Sequence, residues 1–140
     1  LLESLNKKNP FPQEKEPDYF RCLANIETEY GKSAQKNKDT NKEIEKTNSE
    51  LKRKNADLER AKQKNDSINV NKIALEVGQI EKELITLKDK LATDSLQATT
   101  YKNLLVASYT RMKDYYEKEK EDSVKAKMYE DKLNNLNRPN

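Results

Sequence analysis

The chain has 140 residues, of which 38% are charged and 33% hydrophobic, with two Gly, four Pro, one Cys, no His and no Trp, and a net charge of +3. A globular domain of this length is normally closer to half apolar, so the composition excludes a large enclosed core and leaves extended helix or disorder. Without His the commonest general base is missing and no Ser–His or Cys–His pair can form. Two Gly cannot build a phosphate cradle, and GxxxxGK[ST], GxGxxG and GxSxG are all absent.

We therefore expect no enzyme, no cofactor and no metal site. A lone Cys22 has no His or second Cys with which to share a metal, and it suits a reducing, intracellular compartment, cytoplasmic or cytoskeletal. No apolar run approaches 18 residues, so no membrane span is expected, and there is no signal-peptide profile. The opening Leu-Leu in place of Met suggests a piece of a longer polypeptide.

Residues 1–17 read as a Pro-containing extended arm. LLESL at 1–5 is a last helical turn or a small apolar hook, and Pro10, Pro12 and Pro17 then bar a regular helix. Phe11, held between two prolines, is a candidate docking side chain for a partner's groove. A helix is expected to begin near Pro17-Asp18, where proline fits a first turn and an acid meets the positive end of the dipole.

Residues 18–68 read as a loose coiled-coil segment. Leu23, Tyr30, Ile44, Leu51 and Leu58 hold one seven-residue frame, but Asn37, Ser33, Thr40, Thr47 and Lys54 also fall on the seam. Lys32 to Lys64 contains eleven basic residues against six acidic ones, a stretch suited to an acidic filament or microtubule surface. No aromatic lies within it for base stacking and acids interrupt it throughout, so nucleic acid is not an expected partner.

The frame slips across Asn65, Asp66, Ser67, Asn69 and Asn71, and 69–72 is the expected break. Local over- or underwinding of one continuous helix is the leading explanation; a chain reversal into a helical hairpin is the alternative. From Ile73 to Leu136 a second frame holds, with d at Ile73 and a at Val77. Fifteen of its nineteen seam positions are apolar or aromatic, against about six by chance. This predicts a main coiled-coil rod over 73–136, followed by a tail at 137–140, where Asn137 and Pro139 stop the helix.

Over 101–116 the seam widens, with Leu104 at g and Tyr109 and Tyr116 at e beside Tyr101, Leu105, Met112 and Tyr115. A two-stranded coil carries charge at e and g, so this broad face calls for further helices or a distinct partner. Phe11, Leu104, Tyr109, Met112 and Tyr116 are accordingly the candidate protein-interaction residues.

The expected fold class is all-α: long coiled-coil helices, parallel or antiparallel, with no globular core. Through periodicity over 18–136 the chain resembles the Lys/Glu/Asn-rich coiled-coil rods of cytoskeletal, ciliary, spindle and tethering assemblies. That resemblance implies a non-catalytic structural component acting as rod, spacer or docking factor. Its expected partners are other coiled-coil helices, from copies of itself or a related chain. The alternative is a helical-hairpin adaptor that binds a client protein.

Overall fold

The structure is a computed structural model that describes residues 1–138. It is all-helical, 89% helix, with no strand among the described residues and no helix there long and apolar enough to cross a membrane. The elements are α1 (Leu2–Asn6), a 3-10 turn (Gln13–Lys15), α2 (Glu16–Gln63), α3 (Ser67–Asp114), a π-helical turn (Tyr115–Glu119) and α4 (Ser123–Leu136).

The frame slip is a reversal and not a continuous helix. Asn65 adopts the left-handed region at φ 54, which an Asn tolerates better than most side chains. Asp66 N then donates to Ala61 O and Asn65 N to Lys62 O, each at 3.1 Å, closing the open carbonyls of α2 in a Schellman pattern. Asp66 starts the next helix by accepting from Asn69 N at 3.2 Å. The cluster of Asn, Asp and Ser thus stops one helix and caps another within four residues.

Two compact units result: Ala34–Leu96, and Leu1–Ser33 with Gln97–Asn140. Ala34–Leu96 is an antiparallel hairpin of α2 and α3. Lys54 meets Glu76 at 2.5 Å and Lys36 meets Asp94 at 3.6 Å, fixing the direction of pairing. α3 supplies the aliphatic side of the seam through buried Val77, Ile80 and Leu84. α2 answers with buried Thr40, Thr47 and Ala61, while Ile44, Leu51 and Leu58 are only half-buried. α2 runs through residues 31–41 without a break, as its seven-residue frame predicts.

The other unit departs from the expected rod and extended arm. The helix predicted over 73–136 ends at Asp114 and resumes at Ser123. Between them Glu121 takes a left-handed φ of 53, and Asp122 caps α4 by accepting from Lys125 N at 3.1 Å. This is the same pairing of a left-handed residue with a capping Asp seen at Asn65-Asp66. Glu119 and Asp122, consecutive polar positions on the predicted seam, mark the break. Residues 1–17 contain α1 and the 3-10 turn, with Leu2, Leu5 and Phe11 buried.

A core therefore exists where none was expected. It joins Leu2, Leu5, Phe11, Tyr19 and Leu23 to Leu105, Tyr109, Met112, Tyr115, Tyr116, Ala126 and Tyr129. Five of the chain's seven tyrosines lie in it. Large aromatic side chains let a short chain enclose a core despite its low apolar fraction. Of the predicted tail, Asn137 is the C-cap of α4, and 139–140 lie outside the described residues.

Candidate interaction site

All five candidate interaction residues fall in or against this aromatic core. Phe11, Tyr109, Met112 and Tyr116 are buried in it, and Leu104 packs at its margin, half-exposed. The broad face over 101–116 is covered by α1, the arm, the start of α2 and α4 of the same chain. The expectation of an outside helix or partner on that face is thus corrected. The partner is intramolecular, because the reversal after Asp114 returns Ala126 and Tyr129 to the helix they follow.

Phe11 is pinned at several points and is 4% exposed, so the expectation that it docks into a partner's groove is corrected too. Its ring meets Tyr19 edge-on at 5.0 Å and Tyr115 at 4.8 Å. The Arg111 guanidinium lies 5.5 Å above it. Arg111 also donates to Lys8 O at 2.9 Å and pairs with Glu119 at 3.0 Å. Phe11 N in turn donates to Glu119 Oε2 at 3.3 Å. The prolines that keep Phe11 out of a helix hold it where this clamp closes.

Tyr19 is fully buried. Its hydroxyl lies 2.6 Å from Asn6 Oδ1 and 3.2 Å from Ser108 O, and Asn6 Nδ2 donates to Ser108 Oγ at 3.0 Å. Burial pushes this phenol up to about 12, against weaker opposing effects from Ser108 and Arg111. Burial also raises Tyr109, where Glu27 adds to the effect by accepting from the hydroxyl at 2.5 Å. Lys132 Nζ reaches the same carboxylate at 3.0 Å, tying α4 to α2. Tyr115, Tyr116 and Tyr129 are raised chiefly by burial as well, with Glu16 nearby in each case. Tyr116 and Tyr129 stack at 5.9 Å with planes 4° apart.

These phenols are held neutral inside packed contacts, an arrangement that resists ionisation. The sequence reading missed Asn6, Ser108 and Glu27, which take the hydrogen bonds of the Tyr19 and Tyr109 hydroxyls. Their partners lie 13 to 102 residues away, and no local spacing signals them. Cys22 is half-exposed and lines a cleft of about 340 Å³ with Leu1, Leu2, Asn25, Ile26 and Leu104.

Comparison with known proteins finds no matching family model, no matching curated protein and no matching solved structure.

Proposed function

We propose that this chain is a non-catalytic helical-hairpin adaptor, an intracellular interaction module of a larger cytoskeletal or ciliary assembly that binds protein clients through its outer helix faces. One observation carries the reading. Val77, Ile80, Leu84 and the tyrosine face are buried by helices of the same chain, so the apolar seam that a strand of a multi-chain rod would offer to its neighbours is already used. What remains for partners is the outside of α2 and α3. Dilution tests this. Helicity at 222 nm should stay constant over a hundred-fold range of concentration, because closing a hairpin is unimolecular. Helicity that falls on dilution would return the chain to the class of obligate rod strands.

The exposed bases of α2 favour a second reading, as a spacer lying on an acidic filament. Lys38, Lys42, Lys46, Lys52 and Arg53 are all exposed within the stretch of excess positive charge. Attraction of this kind is steeply screened by salt. Co-sedimentation with microtubules at low salt, lost at high salt, is the expected result; no co-sedimentation at low salt removes this reading.

A further inference from the structure

α3 carries a second apolar row within the Ala34–Leu96 unit. With Val77 at a, Leu75, Lys82, Asp89 and Leu96 fall on f, and Gly78, Ile85 and Ala92 on b, the outermost positions of a paired helix. Leu75, Ile85 and Leu96 are 72%, 61% and 72% exposed, while Val77, Ile80 and Leu84 beside them are buried. The equivalent row on α2 runs from Lys38 and Lys42 through Glu45 and Ser49 to Lys52 and Glu59, with no large apolar side chain. Three large aliphatics on the outside of α3 are thus left mostly exposed by the hairpin.

The row has an internal symmetry. Leu75 and Leu96 stand equally far from the midpoint between Ile85 and Thr86, and so do Lys82 and Asp89. The charges on either side are mirror images with inverted sign: Glu81-Lys82-Glu83 before the midpoint and Lys88-Asp89-Lys90 after it, all six exposed. Laying this helix antiparallel on a copy of itself about that midpoint sets Leu75 against Leu96 and Lys82 against Asp89, twice each. Ile85 then meets Ile85 of the second copy across the two-fold axis. A parallel arrangement would place Lys82 on Lys82 and Asp89 on Asp89. Gly78 fits the same scheme, since a Cβ there would meet nothing within 4 Å. The fold does not require glycine, and its absence of a side chain lets a second helix approach closely.

We propose that the outer face of α3 is a self-association site, and that its occupant is α3 of a second copy, antiparallel, in a closed two-fold dimer. Such an interface is isologous: one patch supplies both sides. Its charge pattern excludes the parallel register by repulsion and selects the antiparallel one by attraction. The dimer would give the adaptor two identical hairpins.

The test uses the full chain in sedimentation equilibrium. The wild type should show reversible monomer–dimer behaviour at micromolar concentration. Ile85→Glu should leave a helical monomer, since Ile85 is 61% exposed in the hairpin and a carboxylate there stays solvated until a second copy covers it. Lys82→Glu should weaken the dimer roughly ten-fold by creating two like-charge contacts. Combining it with Asp89→Lys should restore the wild-type constant. A wild type that stays monomeric up to hundreds of micromolar overturns the proposal, as does a dimer indifferent to Ile85→Glu. A double variant no tighter than Lys82→Glu overturns the antiparallel register. The proposal rests on the self-closed hairpin. Failure of the hairpin reading shows as helicity lost when Ile85→Glu is diluted; failure of this one shows as a fully helical wild-type monomer.

Discussion

The two units of this chain solve the same problem, too little apolar material, in opposite ways. Leu1–Ser33 with Gln97–Asn140 gathers five tyrosines, a phenylalanine and several aliphatics from α1, the arm, α2, α3 and α4 into one cluster; it bonds the Tyr19 and Tyr109 hydroxyls to Asn6, Ser108 and Glu27, and leaves the buried Tyr115 hydroxyl without a hydrogen-bond partner among the described residues. Ala34–Leu96 has only two helices, and α2 brings threonine where a tight seam would carry leucine. Buried Asn37 Oδ1 and Asp94 Oδ2 there have no hydrogen-bond partner among the described residues. Many short elements and large aromatics make a core with high information content. Two long helices with small polar side chains make a pairing that is adequate and loose.

The largest expected effect breaks the first unit and spares the second. Tyr109→Glu combined with Tyr116→Glu removes two rings of the cluster and places two carboxylates among the remaining aromatic side chains, one of them beside Glu27, which already takes the nearby Lys132. The tyrosine near-UV dichroism should vanish, while most of the helicity of Ala34–Leu96 remains at 222 nm. Mass by light scattering should not fall, because this face is covered from within the chain. A drop in mass with intact near-UV signal would return the face to an outside partner.

High pH should separate the units in the same sense. Tyr19 is neutral when folded and its folded pKa is raised, so its contribution is full below about pH 10 and is lost as the pH rises towards about 12. Tyrosinate absorbance at 295 nm should appear cooperatively with loss of the near-UV signal, above the midpoint of free tyrosine. Titration of all seven tyrosines near pH 10, before unfolding, would show that the cluster is not closed.

Within the hairpin the two sides of the seam should differ. Leu84 is buried, and Leu84→Ala should cost about 2–3 kcal/mol. Leu51 and Leu58 are half-buried, so each should cost nearer 1 kcal/mol on truncation to Ala. Equal shifts in melting temperature for Leu84→Ala and Leu58→Ala would contradict a loosely packed α2.

The smallest effect compares the two turns. Glu121 and Asn65 both hold a left-handed backbone, and Glu pays more for it than Asn does. Glu121→Gly should raise stability by up to about 1 kcal/mol, and Asn65→Gly by only a few tenths. A destabilised Glu121→Gly chain would mean that the Glu side chain holds the turn.

Much of the local structure was legible in advance. The 3.5-residue repeat of Ile73, Val77, Ile80 and Leu84 specified a helix and its buried stripe, because periodicity reports which side chains share a face. The width of the apolar face made Leu104, Tyr109, Met112 and Tyr116 legible as one surface, whereas Phe11 was singled out only by its flanking prolines, and nothing in the sequence joined it to them. The partners of that surface were not legible. A wide stripe states that something must cover it, and says nothing of whether the cover is another molecule or the same chain returning.

That choice belongs to the turns. Asn65-Asp66 and Glu121-Asp122 are short polar sequences compatible with a solvated helix surface, and each becomes a reversal only when the residues beyond it find apolar surface to bury. Tyr129 has that surface in Tyr109 and Tyr116, and Ile80 and Leu84 have it along α2. The sequence by itself determined that the chain is helical and where its helices are apolar. Only the tertiary structure decided that the helices fold on one another, because burial of a stripe is a property of two surfaces, and a repeat along one helix describes only one of them.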